Sequence, residues 1–142
     1  MLKIKDIMTT DVFVLLSTQT LNLVRNLMKI EHIRHVPIVD HENQFVGLLT
    51  HRDLLSQTVS ILAEIDEKEQ DELDQNIPIM NVMKTDVITV HPELDLRSAI
   101  SILIENKYGC LPVVSDKKLV GIVTEADFLQ LTHDLLKKEH KD

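Results

Sequence analysis

The chain has 142 residues, 44% hydrophobic and only 3% aromatic, with a formal net charge of −8 at pH 7. This length allows one ordinary domain or two small units that share a core, and the apolar content excludes a disordered chain. The single cysteine excludes an internal disulfide, and the acidic balance argues against nucleic acid as a partner, because phosphate binding needs a basic surface. No apolar run reaches the roughly 18 residues of a membrane span, and the N-terminus is too polar for a signal peptide. We therefore expect a cytoplasmic protein with no membrane partner.

An internal repeat organises the sequence. The segment IMTTDVFVLL at 7–16 is similar to VMKTDVITVH at 82–91, and the same offset of 75 residues aligns Pro37 with Pro112. After a turn that is one residue shorter in the second copy, an offset of 74 aligns the Gly, Thr and Asp of the first copy with those of the second: Gly47, Thr50 and Asp53 with Gly121, Thr124 and Asp127. Identities at these residue types in one order indicate a true repeat.

Hydrophobic patterning predicts β-α-β-β-α for each copy, an α/β (α+β) fold. In the first copy we expect a strand at 12–16, a helix from about Thr20, strands at 36–39 and 45–49 joined by the polar turn 40–43, and a helix from Thr50. In the second copy we expect a strand at 87–90, a helix from about Asp95, strands at 110–114 and 119–123, and a helix from Thr124.

The repeat also predicts the domain organisation. Residues 1–60 form the first motif, 61–78 an acidic linker or helix extension, and 79–142 the second motif with its C-terminal helix. A copy of about 50 residues is too small to bury a good core alone. We therefore expect one globular unit in which the two copies pack sheet to sheet about a pseudo-two-fold axis. We interpret the acidic run at 63–76 as a solvated surface.

Both copies place a threonine at a helix start and an aspartate three residues later. One interpretation is a capping box, in which Thr and Asp satisfy free backbone amides. The other is a nucleotide site, because a helix start suits a phosphate and a short carboxylate can accept hydrogen bonds from ribose hydroxyls. The glycine three residues before each threonine indicates a close approach by a backbone or a ligand. The residues alone leave both interpretations open.

Three runs of the first copy resemble a CBS motif, named after cystathionine β-synthase: D-I-M-T at 6–9, His35–Asp40 and Gly47–Asp53. The second copy repeats the pattern at 111–114 and 121–127. A tandem pair is a Bateman module, and the chain is similar to stand-alone CBS proteins of the acetoin-utilisation (AcuB-like) type. The resemblance implies a regulatory module, not an enzyme, that binds AMP, ADP, ATP or S-adenosylmethionine in clefts between its motifs. It also implies dimers that form a disk of four motifs.

The resemblance assigns roles to particular residues. Asp53 and Asp127 would bind ribose, with Thr50 and Thr124 near the ribose or phosphate. Apolar residues on the strands would lie against the adenine, although each is also a candidate core residue. These adenine candidates are Val12, Phe13, Val36, Pro37, Val87, Ile88, Leu111 and Pro112.

The two copies differ in charge. An acidic protein has to concentrate cations where it binds a phosphate. Relatives with this motif contact phosphates from corresponding positions, so the phosphate candidates are Arg34, His35 and Arg52, with His51 a weaker candidate. The second copy instead has Gly109, Cys110, Glu125 and Ala126. The site of the second copy would be empty, selective for a less charged ligand, or served by Arg34 and His35 across the cleft. The alternative for all four basic residues of the first copy is that they are ordinary solvated surface residues.

Other chemistry has little support. His32 and His35 straddle a helix end and a strand start, so we predict no metal site; Mg²⁺ would enter only with nucleotide phosphates. Cys110 lies in an apolar strand and is expected to be a buried small hydrophobe. No residues form a nucleophile and base, so we expect no enzyme and no required cofactor. A scaffold that binds partners without a ligand remains the alternative.

The second helix of each copy carries more apolar residues than one small core can cover, so we expect a homodimer formed through these helices, and an unknown effector protein as a further partner. The alternative is a deeper core within one chain. The residues concerned are Leu54, Leu55, Val59, Ile61, Leu62, Phe128, Leu129, Leu131, Leu135 and Leu136.

Overall fold

We describe the protein from a computed structural model, in which residues 1–57, 66–107 and 109–139 are described. The helices and strands alternate as an α+β fold, as predicted. In chain order they are α1 (Ile4–Ile7), β1 (Leu15–Leu16), α2 (Leu21–Glu31), β2 (His35–Val39), β3 (Phe45–Thr50), α3 (His51–Gln57), α4 (Glu67–Asp74), a 3₁₀ turn (Ile79–Asn81), α5 (Leu96–Glu105), β4 (Cys110–Ser115), β5 (Lys118–Thr124) and α6 (Glu125–Glu139). No helix among the described residues is long and apolar enough to cross a membrane.

The chain forms two compact units whose borders differ from those of the sequence repeat. One unit, here called the Thr50 unit, contains residues 13–87, and the other, the Thr124 unit, combines residues 1–12 with 88–142. The first residues of each motif, 1–12 and 79–87, therefore belong to the unit that contains the rest of the other motif. The motif boundaries expected at 60 and 79 follow the sequence repeat and stay a prediction; the compact units instead group residues 1–12 with 88–142.

The Thr50 unit contains a three-stranded sheet in the order β1-β2-β3, with β1 parallel and β3 antiparallel to β2. The predicted hairpin turn is confirmed: the Asp40 carboxylate accepts hydrogen bonds from the amides of Glu42 and Gln44, both at 2.9 Å. The expected strand at 12–16 is reduced to Leu15–Leu16, because only these two residues pair with β2. Thr20 precedes α2 as expected, but its hydroxyl bonds the Asn22 side chain instead of capping the helix.

The Thr50 unit has a core of its own, formed by one face of α2, the sheet and the start of α3. Its buried members are Leu21, Val24, Met28, Val36, Ile38, Leu49, Leu54 and Ile79. Ile79 is the first residue of the second motif, and its burial here explains why residues 79–87 belong to the Thr50 unit. Apolar burial of this kind stabilises by about 25 cal/mol per Å² removed from water.

The Thr124 unit has the two-stranded antiparallel sheet β4-β5. The predicted strand at 87–90 is wrong, since only Val90 makes a bridge, its amide donating to Pro112 and its carbonyl accepting from Val114. The chain then turns away to receive the amides of α1 at Pro92 and Leu94. Asp95 caps α5 as predicted, accepting from the Ser98 amide and hydroxyl, and these bonds lower its pKa.

The N-terminal segment is attached to the Thr124 unit by apolar and charged contacts. Ile4 is fully buried in a core with residues of α5, β4 and β5. The exposed Glu93 carboxylate accepts hydrogen bonds from Lys3 at 2.8 Å and Lys5 at 2.7 Å, which lower its pKa to about 2. The remaining buried members of this core are Val90, Leu96, Ala99, Leu103, Leu111, Val113 and Val123.

The acidic segment is more than a solvated surface. Its first three residues, 63–65, lie outside the described residues, but Glu67–Asp74 form α4, which packs on α2. Asp74 is fully buried and forms an ion pair with Arg25, with 2.6 Å between Nε and Oδ2, and its second oxygen accepts from the Gln70 amide at 2.9 Å. One acidic residue of the run is therefore part of the packed structure.

Candidate ligand sites at the two Thr–Asp helix starts

The capping interpretation of Thr50 and Asp53 is confirmed as geometry. Oδ2 of Asp53 accepts from the Thr50 amide at 2.8 Å and from the Thr50 hydroxyl at 2.9 Å, while the Asp53 amide donates to the Thr50 hydroxyl at 3.3 Å. Thr50 is buried at the end of β3, and Asp53 is half-buried. The carboxylate is therefore held in place before any ligand arrives, which is the preorganisation that a ribose contact needs.

The same carboxylate also has a cationic partner. Lys84 Nζ lies 2.5 Å from Asp53 Oδ1, and the two side chains are 37% and 11% exposed. Lys84 is held beside β3 by two backbone bonds with Leu48, at 2.8 and 2.9 Å. Both Asp53 oxygens are therefore occupied in the structure.

The two strand glycines are required by the chain itself. A Cβ on Gly47 would lie 2.7 Å from Met83 Sδ and 2.8 Å from the Lys84 carbonyl oxygen. A Cβ on Gly121 would lie 2.8 Å from Met8 Sδ and close to the Thr9 carbonyl. The sequence predicted that either a ligand or a backbone approaches these glycines. In the structure it is a backbone, since the first residues of the other copy pass over each of them.

The Thr124 helix start repeats this architecture without the cation. The Thr124 amide donates to Asp127 Oδ2 at 2.8 Å, and the Thr124 hydroxyl lies 3.4 Å from that oxygen. Thr9 makes the same pair of backbone bonds with Ile122, both 2.9 Å, that Lys84 makes with Leu48. Among the residues that the structure describes, Asp127 forms no ion pair.

The adenine candidates divide into exposed and buried residues. Phe13 and Ile88, which correspond in the repeat, are 45% and 47% exposed and offer apolar surface to a flat ring. Val36 and Leu111 are fully buried core members. Pro37 and Pro112 are buried within β2 and β4, and Val12 and Val87 are half-buried at the borders of the two units.

Only two of the phosphate candidates, Arg34 and His51, line a common cavity. Arg34 and His51 are joined through the backbone, since the His51 amide donates to the Arg34 carbonyl at 2.8 Å. Both line a cavity of about 390 Å³ together with Arg25, Lys29 and His32. Arg52 is exposed and does not line it, whereas His35 lies in β2 opposite Thr50.

That cavity is basic in an acidic protein. Its described lining contains no carboxylate, and its floor is apolar, formed by Met28, Ile33, Leu54 and Leu55. Two of its cations already have acidic partners outside the lining, Arg25 with Asp74 and Lys29 with Glu67. Arg34, His32 and His51 supply the remaining basic groups, all on exposed residues.

Sequence reasoning missed Lys84, Arg25 and Lys29. A signal for Lys84 was present, because the aligned segments read M-T-T at 8–10 and M-K-T at 83–85. The pattern assigned Lys84 to the second copy, which contains it, whereas Lys84 bonds to Leu48 of the first copy. Arg25 and Lys29 look like ordinary polar positions of an amphipathic helix, and only the tertiary structure places them beside His51.

The described residues contain no group of three or more His, Cys, Asp or Glu that could hold a metal ion. Cys110 is buried in β4, and burial raises the pKa of its thiol to about 12. The side chain therefore behaves as a small hydrophobe and not as a reactive thiolate.

Comparison with known proteins gives the family. The model of the CBS domain matches residues 4–59 and 79–134, which is most of the chain. The chain belongs to the CBS domain family. A Vibrio cholerae protein of the acetoin utilization type (AcuB) is 37% identical, with a TM-score of 0.81 over 100% of this chain and 98% of that one. The tandem arrangement and the AcuB-like resemblance are thus confirmed.

Three further relatives bear on function and length. The CBS domain pair of protein MJ0100, solved in complex with 5′-methylthioadenosine and S-adenosyl-L-methionine, is 25% identical, with a TM-score of 0.74 over 94% of this chain and 97% of that one. The CBS domain-containing protein YhcV of Bacillus subtilis is 29% identical over 89% of this chain and 83% of its own length. By contrast, the chain spans 42% of the Methanocaldococcus jannaschii protein MJ1225, also 29% identical over 90% of this chain.

Proposed function

We propose that this CBS protein is a regulatory module that binds an adenine nucleotide (AMP, ADP or ATP) or S-adenosylmethionine at its Thr–Asp helix starts. The observation that carries the proposal is the pair of preorganised carboxylates, Asp53 and Asp127, each fixed by its threonine in a chain of this family. A relative that matches nearly the whole chain was solved with two adenosyl compounds bound. We expect this chain to bind the same class of ligand.

In the proposed complex, the aspartate accepts hydrogen bonds from the ribose hydroxyls and the threonine lies near the ribose or phosphate. Phe13 and Ile88 are the residues whose exposed apolar surface can cover the adenine. Arg34 and His51 are the basic residues proposed to attract a phosphate, since both line the basic cavity at the start of α3. Mg²⁺ would accompany only the phosphates of ADP or ATP.

Calorimetric titration with AMP, ADP, ATP and S-adenosylmethionine tests the proposal. We expect at least one of them to bind at submillimolar concentration. Alanine at the aspartate of the occupied site, Asp53 or Asp127, should weaken that ligand by about tenfold, equivalent to about 1.4 kcal/mol. Asp95→Ala is the matched control, because Asp95 also bonds amides at a helix start but lies on α5, outside the proposed site. It should lose the stability that its helix cap contributes and no affinity. If none of the four ligands binds at millimolar concentration, the protein is a ligand-free interaction scaffold.

Binding would regulate a partner by favouring one conformation of the module over another, by as much as the ligand's affinities for the two differ. We also infer a cytoplasmic location, consistent with a reduced, buried Cys110.

We further propose that α6 forms a homodimer. It has no buried residue along its 15 residues; Phe128 and Leu131 pack partly on the core, but Leu129, Leu135 and Leu136 are more than half exposed. In α3, Leu54 is buried and Leu55 exposed, whereas Val59, Ile61 and Leu62 lie outside the described residues. Covering such an apolar face favours association.

Sedimentation equilibrium measures the association directly. We expect a mass of twice the 16.3 kDa chain, and dissociation to monomers in the double variant Leu129→Glu/Leu136→Glu, because these two leucines lie seven residues apart on one helix face. Gln130→Glu, an exposed position on the same helix, adds a carboxylate next to that face and should leave the dimer intact. A wild-type protein that sediments as a monomer contradicts the proposal.

A further inference from the structure

The two Thr–Asp sites differ at one position that the fold makes equivalent. Lys84 and Thr9 occupy corresponding places, because each exchanges two backbone bonds with the strand that leads to the aspartate, Lys84 with Leu48 and Thr9 with Ile122. The glycine beneath each segment, Gly47 or Gly121, permits this close passage. The residue at this position is therefore presented to the carboxylate of the neighbouring helix start.

At the Asp53 site, the residue at this position, Lys84, is a cation. The Lys84 ammonium lies 2.5 Å from Oδ1 of Asp53, the oxygen that Thr50 does not use. Asp53 is only 11% exposed, so water screens this ion pair less than it would screen a pair on the surface. A ribose hydroxyl can reach Oδ1 only if the ammonium moves away.

At the Asp127 site the corresponding residue, Thr9, carries no charge. Within the described part of the chain, the hydrogen bonds and ion pairs of Asp127 leave Oδ1 without a cation, and Oδ2 is held by Thr124 alone. A ribose can bind there without breaking an ion pair. The adjacent residues of this helix start, Glu125 and Ala126, would not attract a phosphate.

The consequence depends on the charge of the ligand. An uncharged nucleoside that displaces Lys84 leaves a partly buried ammonium without a counter-ion, and this cost reduces its affinity. A nucleotide supplies a phosphate that can take the place of the Asp53 carboxylate as counter-ion, so the exchange is balanced. His51 lies two residues before Asp53, and its amide donates to the Arg34 carbonyl, so the same helix start also carries an arginine that favours an anion.

We propose that Lys84 determines ligand specificity by closing the Asp53 site to uncharged adenosyl ligands, whereas Thr9 leaves the Asp127 site open to them. The inference rests on the proposed function. It goes beyond that function because it makes the two sites unequal and assigns the difference to one pair of residues.

An exchange of the two residues tests the proposal, with adenosine as the uncharged probe and AMP as the anionic one. By calorimetry, wild type should bind one adenosine per chain, Lys84→Thr two, and Thr9→Lys none or with at least tenfold weaker affinity. The double exchange Thr9→Lys/Lys84→Thr should restore one adenosine. AMP should still bind at the Asp53 site of wild type.

Two variants separate charge from size. Lys84→Arg keeps the cation and should keep the site closed to adenosine, while Lys84→Met keeps the length without the charge and should open it. Since Lys84 is anchored through its backbone, these variants should fold, and circular dichroism checks this. If Lys84→Thr does not fold, Thr9→Lys tests the same rule in the other unit.

The outcomes are distinguishable. If wild type binds adenosine or AMP but Lys84→Thr and Lys84→Met leave the adenosine stoichiometry and affinity unchanged, the specificity role of Lys84 is wrong and the proposed function stands. If Thr9→Lys leaves adenosine binding intact, the equivalence of the two positions is wrong. If neither probe nor any adenine ligand binds to wild type or to any variant, the proposed function itself fails.

Discussion

Replacing Arg25 by methionine is expected to lower the free energy of unfolding by about 3–5 kcal/mol, because it leaves a buried carboxylate without its counter-ion. Asp74 is fully buried, and its two oxygens are held by the Arg25 guanidinium and by the Gln70 amide. Methionine preserves the aliphatic packing of the arginine stem but removes the charge. Urea denaturation at pH 7, followed by circular dichroism, measures the loss.

Two comparisons isolate the ion pair. Arg97→Met removes an exposed arginine from another helix and should change stability by less than about 0.5 kcal/mol. The double variant Arg25→Met/Asp74→Leu removes both charges and should recover part of the loss, since a buried pair can be replaced by apolar residues at little cost. A loss in Arg25→Met no larger than that in Arg97→Met would show that Asp74 is not held by this pair.

Alanine at Gly47 is expected to destabilise the protein by about 1–3 kcal/mol, the range for overpacking a tight site. Its Cβ would lie 2.8 Å from the Lys84 carbonyl oxygen, which is a backbone atom bonded to the Leu48 amide and cannot rotate away. A Cβ on Gly121 would meet the Thr9 carbonyl oxygen, which accepts from the Ile122 amide, so Gly121→Ala should destabilise the Thr124 unit by a similar amount. Denaturation curves of the two variants measure both effects.

A second substitution identifies the atoms in conflict. Met83 contributes two of the three close contacts at Gly47, so Met83→Ala would relieve Gly47→Ala if the methionine side chain were the main obstacle. We expect little relief, because the Lys84 carbonyl remains. A Gly47→Ala variant as stable as wild type would mean that residues 83 and 84 do not pass over β3 as closely as the structure shows.

Much of the fold could be predicted from local patterns. The hairpin at 40–43, the start of α5 at Asp95 and the Thr–Asp helix starts each depend on residues that interact within about four positions of each other. The predictions that were wrong depended on contacts between residues far apart in sequence. The strand expected at 87–90 reduces to one bridge at Val90, because the chain turns after it to meet α1, a partner about ninety positions away in sequence.

The candidate site divides in the same way. The repeat identified Asp53 and Asp127 as equivalent, and their threonine contacts are local, so the sequence was sufficient. The difference between them depends on Lys84, which lies 31 residues from Asp53. A periodic pattern assigns such a residue to the copy that contains it, and so it misses a segment that folds against the other copy.

The sequence by itself determined the duplicated α+β motif, the membership of the CBS domain family and the acidic overall charge, because these follow from residue order and composition. It also showed that the first copy has basic residues at 34–35 and 51–52, where the second copy has Gly109, Cys110, Glu125 and Ala126. Only the tertiary structure decided that Lys84 pairs with β3 and Thr9 with β5, so that the first residues of each copy pack on a strand of the other. It likewise decided that Asp74 is buried against Arg25 and that Asp53 is paired with Lys84 while Asp127 is not. The physical reason is that burial and charge pairing depend on distances in space between residues far apart in sequence.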